Sequence, residues 1–217
     1  ALKQHDLLGR NTNIAKSNHV DVNKAYDVHD ICTDTTTSDT LPAYYGNNAV
    51  VPDARTVKVL VNQRGQITAE LNPRVAKLYQ AILANTDLSE SEKKTQLKAF
   101  VSANAITHHY NPKSGLRLKT SQPNDDETAI VDTVFYYDLG KRLVLSINPD
   151  GEIKRQGYDA HDNIDMTRKL DAFYPKAQLV NLTGGFITDT LSTQIDSLQS
   201  DVDTLVKKTF DLCHREN

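Results

Sequence analysis

Hydrophobic and polar positions change character along the chain. Over residues 1–55 the apolar side chains are scattered, with no sustained period of 3.6 or 2. Asn, Asp and Thr dominate there, culminating in Thr33-Asp34-Thr35-Thr36-Thr37-Ser38-Asp39-Thr40. Such side chains hydrogen-bond their own backbone and favour turns, so the pattern predicts an irregular polar N-terminal arm over 1–55. From residue 56 onward the pattern predicts regular elements and one α+β domain over 56–217. Thr56–Val61 predicts a strand, Asn62–Gly65 a turn and Gln66–Leu71 the returning strand, with Gly65 supplying a positive φ.

Two helices are expected next. Asn72-Pro73 offers an N-cap with Pro at the first helical position, and Val75, Leu78, Ala81 and Ile82 recur at helical spacing. Ser89 with Glu92 forms a capping-box pattern for the second, whose inner stripe is Leu97, Phe100 and Val101. Residues 107–127 are polar and predict a long loop. A three-stranded meander follows, over Ala129–Tyr137, Arg142–Ile147 and Glu152–Gln156, with turns at Asp138–Lys141 and Asn148–Gly151.

Met166, Leu170 and Phe173 predict a short helix over 164–173 that stops before Pro175. Beyond Gly184-Gly185, Leu191, Ile195, Leu198, Val202 and Leu205 recur at spacings of 4, 3, 4 and 3, the a/d rhythm of an amphipathic helix whose seam is a candidate interaction surface, docking on its own domain or on a partner. Val206, Phe210 and Cys213 lie on a second stripe beside it. The expected fold class is therefore α+β: a small antiparallel sheet, hairpin plus meander, packed with a helical hairpin and a long C-terminal helix.

The 217 residues suffice for a buried core. With 25 basic and 28 acidic side chains and no basic run longer than a dipeptide, nothing calls for nucleic acid. No apolar run reaches the roughly 18 residues a transmembrane helix requires. The two cysteines, Cys32 and Cys213, belong to no CxxC pair. Joined, they would close a loop of about 180 residues and constrain the unfolded chain by roughly 5 kcal/mol. That bond, tying arm to terminal helix, suits an exported protein in a periplasmic or extracellular setting.

Candidate chemistry is sparse. His108-His109 on an extended segment would point to opposite sides, which is poor geometry for one metal. Asp125-Asp126-Glu127 lacks the spacing of a calcium loop, and His161 sits among carboxylates in Tyr158-Asp159-Ala160-His161-Asp162. No phosphate-binding glycine motif, no GxSxG and no other nucleophile motif occurs, so neither a cofactor nor a metal is expected. The leading expectation is an exported, non-enzymatic binding or structural protein of the bacterial envelope or an extracellular assembly, contacting another protein or copies of itself. The alternative is a hydrolase or lyase whose His108, His109, Asp125, Asp126 and His161 converge only in the fold. A ligand carrier with an apolar cavity is a third class.

Overall fold

The computed structural model describes residues 2–8, 10–15, 20–26, 32–39 and 55–208. Among them the chain is mostly antiparallel β-structure with few, short helices, which corrects the balanced α+β expectation. The 1–55 stretch is the first departure. Its described residues form β1 (Leu2–His5), β2 (Asn11–Ala15), β3 (Val20–Tyr26) and β4 (Cys32–Asp39) instead of an irregular arm. Threonine explains much of this, because its branched Cβ suits a pleated surface. Thr35, Thr36 and Thr37 of β4 lie opposite Val57, Thr56 and Arg55 of β5 (Arg55–Val61). The Thr36 and Thr56 hydroxyls meet at 2.8 Å, and Lys58 Nζ donates to Asp34 at 2.8 Å in the same ladder.

The chain divides into two compact units, 1–107 and 108–217. In the first, β1 to β5 pair in chain order, followed by β6 (Ile67–Leu71) and the first residues of β7 (Ile106–Tyr110). Helix α1 (Pro73–Ala84) starts where Asn72 Oδ1 accepts from the Val75 amide, and α2 (Glu90–Asn104) starts on the full Ser89–Glu92 capping box. Only Val75 and Ala76 of α1 are buried, joining Ala69, Leu71 and Ala105, with Phe100 and Val101 half-buried against them. Leu78 is exposed.

In the second unit, β8 (Arg117–Pro123) follows β7, so the stretch expected as a loop is largely strand. The meander forms as expected: β9 (Ile130–Tyr137), β10 (Leu143–Ile147) and β11 (Glu152–Tyr158). Residues 164–173 are not helical. They form β12 (Ile164–Phe173), which pairs with β11 from Tyr158↔Ile164 to Glu152↔Phe173, because a tight turn at Asp159 returns the chain antiparallel before a helix can start. Leu170 is the member of the expected apolar triad that is buried.

Next come α3 (Lys176–Leu179), β13 (Gly185–Phe186, parallel to β9), α4 (Asp189–Asp196) and β14 (Thr204–Lys207, beside β12). Among the described residues the expected long C-terminal helix is thus replaced by the short α4 and by β14. Ser197 Oγ donates to the Gln194 carbonyl, and Asp203 accepts from the amides of Ser200 and Asp171. These side chains compete for the backbone groups a helix would use. The core of this unit is Val134, Tyr136, Leu145, Ile147, Ile153, Leu170, Tyr174, Leu191 and Ile195.

One turn recurs through both units. At Asp6, Asn62, Asp138, Asn148 and Asp159 the amide of the Asx residue donates to the carbonyl four residues on. Its Oδ1 accepts from the amide of that same residue, at Arg10, Gln66, Arg142, Glu152 and Asn163. A further side-chain bond then joins the two: Arg10 Nε to Asp6, Asn62 Nδ2 to Gln66, Arg142 Nε to Asp138, Asn148 Nδ2 to Glu152, and Asn163 Nδ2 to Asp159. The fourth residue is left-handed at Gly65, Lys141, Gly151 and Asp162. The likeness extends outward. Arg10 lies 4.8 Å over Tyr26, whose hydroxyl donates to the Asn11 carbonyl; Arg142 lies 5.0 Å over Tyr158, whose hydroxyl donates to the Leu143 carbonyl. Asp–Arg–Tyr thus repeats at identical separations once in each unit.

Candidate functional site

The sequence candidates do not converge. On β7, His108 is buried with Nδ1 3.0 Å from Thr120 Oγ1, whereas His109 is exposed to solvent, as strand alternation requires. Asp125 and Asp126 are exposed in the turn joining β8 to β9, where Asn124 Oδ1 caps the amides of Thr128 and Ala129. His161 is exposed in the Asp159 turn joining β11 to β12, its amide donating to Asp159 Oδ1 at 2.8 Å. In an antiparallel meander these two turns lie at opposite ends of the strands. Among the described residues no group of three or more His, Cys, Asp or Glu is placed to hold a metal ion.

His109 does meet three residues the sequence did not single out. Ser121 on β8 is buried, and its Oγ lies 3.2 Å from His109 Nε2 and 2.5 Å from Asp132 Oδ1 on β9. Lys119, two residues before Ser121 and on the same face, donates to Asp132 Oδ2 at 2.7 Å. Ser121 and Asp132 are direct cross-strand partners, so the cluster is a product of register.

Burial raises the Asp132 pKa, but hydrogen bonds from Lys119 and Ser121 outweigh it and hold the carboxyl below its ordinary value. Although His109 is largely open to solvent, partial loss of hydration where it meets Ser121 lowers its pKa, and the Lys119 ammonium lowers it further against the pull of Asp132. At neutral pH this gives a carboxylate beside an uncharged imidazole. The single Ser121 proton goes to Asp132, which leaves Ser121 Oγ able to accept from His109 Nε2 in the tautomer that carries its proton there. A hydrolytic triad places imidazole between hydroxyl and carboxylate, with a free nitrogen lone pair facing the hydroxyl. Here the hydroxyl is in the middle, its proton directed at the Asp132 carboxylate and not at the imidazole. The arrangement is a cross-strand strut.

The first unit carries a groove of about 770 Å³ between β4, β5 and α1. Its charged lining is Arg55, Lys58, Arg74 and Lys77 against the single carboxylate of Asp34, with Thr56, Pro73, Ala76 and Gln80 between them. The sequence analysis missed it because its cations come from two separated segments.

Of the other expected site residues, Cys32 is half-buried with Sγ 3.3 Å from Thr35 Oγ1, and Cys213 lies outside the described residues, as does Phe210. The expected interaction seam is dispersed. Leu191 and Ile195 are core, Leu198 packs half-buried against that core, Val202 is exposed in a turn and Leu205 is exposed on β14. No helix among the described residues is long and apolar enough to cross a membrane.

Neither a family model nor a curated protein matches the chain. Among solved structures it is similar to a chain of TcdB2-TccC3-TEV, at 14% identity and a TM-score of 0.40. It is also similar to a chain of TcdB2-TccC3-Cdc42 and to one of the Photorhabdus luminescens Tc holotoxin pore, each at 12% identity and a TM-score of 0.35. In all three the match covers 99% of this chain and 13% of the other. Scores this low do not establish a shared fold.

Proposed function

We propose that this chain is a non-enzymatic structural or binding module that works through protein–protein contacts in an exported assembly, at a bacterial envelope or outside the cell. The observation that carries the reading is the Asx turn built, among the described residues, five times to one hydrogen-bonding plan. A chain that reiterates one hairpin design spends its polar side chains on scaffold geometry. The scatter of His108, Asp125, Asp126 and His161, and the Ser121 hydroxyl's bond to Asp132, support the same reading over that of a hydrolase or lyase.

Native mass spectrometry of the unreduced protein from its own source tests this. The expected spectrum contains copies of the chain, or the chain with a second polypeptide, in fixed stoichiometry. A chain mass two hydrogens light, from a Cys32–Cys213 bond, is the expected sign of export. A bare monomer with both thiols free would contradict the proposal.

A further inference from the structure

We propose that β14 is an exchangeable strand: it swings off the sheet on a bend over 199–203, and the β12 edge so freed takes the β14 of a second copy. The inference deepens the contact-based reading above and rests on it. All four residues of β14 are exposed, so lifting the strand takes no side chain out of the core. Among the described residues β12 is its strand neighbour, paired from Met166↔Lys207 to Lys169↔Thr204. Leu198, just before the bend, packs against the core and stays in place. A segment held by backbone bonds and few buried contacts opens at far lower cost than the sheet it lies on. Val202, Leu205 and Val206 are 71%, 39% and 49% exposed, apolar surface on bend and strand that the closed chain leaves to water.

The bonds that hold the segment fall into two sets. The first joins it to β12: the ladder, which the Lys208 amide extends to the Asp165 carbonyl at 2.8 Å, and the Asp171 amide's bond to Asp203 Oδ1 at 3.0 Å. An identical strand from a second copy remakes each of these. The second set closes the bend on itself. Asp203 accepts from the Ser200 amide at 3.1 Å and from the Ser200 hydroxyl at 3.2 Å, and the Asp203 amide donates to the Ser200 carbonyl at 3.3 Å. Those bonds exist only while the strand folds back on its own sheet, which makes Asp203 the latch of the closed form. Straightened, the bend spans about 16 Å, so β14 can reach a neighbouring molecule. The strand shown to fit this edge is β14 itself, and the occupant is therefore the β14 of a second copy.

The test is amide hydrogen exchange read by mass spectrometry, with native mass spectrometry of the same samples of the full chain. The amides of 204–207 are expected to exchange about tenfold or more faster than those of β10 and β11, and a dimer fraction to grow with concentration. Asp203→Asn is expected to speed exchange at 204–207 about fivefold further, to leave β10 and β11 unchanged and to raise the dimer fraction. Asp201→Asn, at an exposed neighbour in the same bend, should match the unmodified protein. Ser200→Ala replaces Asp203→Asn if the latter loses its circular dichroism spectrum, with a smaller rise in both readouts. Protection of 204–207 equal to that of β10 overturns the proposal. So does an equal loss of protection in every strand, or fast exchange at 204–207 with no dimer in any variant. Val206→Pro removes a ladder donor, because the register alternates from the Lys208–Asp165 bond. A dimer that survives Val206→Pro would remove the exchange and keep the assembly reading. A complex with a second polypeptide in protein from its own source, with no dimer of this chain, would do the same.

Discussion

Gly184→Ala is expected to destabilise the protein by at least about 3 kcal/mol, combining left-handed backbone strain with a backbone clash. Gly184 has φ +72, and an added Cβ would overlap the Leu118 carbonyl oxygen and sit 2.9 Å from its carbon. Both obstacles are backbone, so no rotamer change relieves them. The position also governs its surroundings. Gly184 leads into Gly185 and Phe186, which pair with Tyr136 and Tyr137 of β9, and the Ile187 amide donates to the Tyr137 carbonyl at 2.9 Å. Displacing this segment would loosen the entry to α4 and the core positions Leu191 and Ile195. Gly140→Ala is the control: its φ is not left-handed and its nearest obstacle is the Asp138 side chain at 3.2 Å. Urea unfolding should show a large drop in midpoint for Gly184→Ala and a small change for Gly140→Ala; similar shifts would contradict the close approach of Gly184 to β8.

Ile195→Ala is expected to cost about 2–5 kcal/mol, and Val202→Ala less than about 0.5 kcal/mol. Ile195 is fully buried among the second unit's core residues, so truncation leaves a cavity as well as losing transfer free energy. Val202 is 71% exposed, in the turn before β14. A continuous amphipathic helix would place both on one buried seam and make their costs comparable. Paired denaturation curves therefore decide between the short α4 plus β14 and the long helix that the heptad spacing predicts.

That spacing shows where sequence reading misled. The 4-3-4-3 rhythm runs across Ser197, Ser200 and Asp203, and apolar periodicity takes no account of side chains that capture backbone groups. The elements that were legible have local signals: Asn72-Pro73 for α1, Ser89 with Glu92 for α2, and Asn148-Pro149-Asp150-Gly151 between β10 and β11. The strands of residues 2–39 were not legible, because Thr and Asn strands lack apolar alternation and β4 is held by partners about 20 residues away, Thr56 and Lys58. The recurring turn does leave a trace, an Asx residue with a hydrogen-bonding side chain four positions on. Its copies at Asp6, Asn62, Asp138, Asn148 and Asp159 are unevenly spaced, which hides them from a search at fixed period.

The site was less legible than the fold. Of the five histidine and acidic candidates only His109 belongs to a cross-strand cluster of charged and polar groups, and its partners Lys119, Ser121 and Asp132 come from other strands. Register alone unites them, and register depends on non-local pairing such as Ser121↔Asp132. The groove had the same obstacle, since β5 and α1 each contribute part of its charge.

The reading of a scaffold without catalytic machinery turns most directly on the state of His109, which nitrogen-15 NMR of the imidazole through a pH titration reports. The expected result is a neutral ring at pH 7 with the proton on Nε2, and a midpoint below the ordinary histidine value of about 6.5, because partial desolvation and Lys119 disfavour the cation. A depressed folded-state pKa also means that His109 opposes folding as pH falls from about 6.5 through that midpoint, so its contribution to stability is retained only above this window. A proton on Nδ1, with the Nε2 lone pair facing Ser121 and a midpoint above about 6.5, would instead describe a base poised on a serine and would contradict the account.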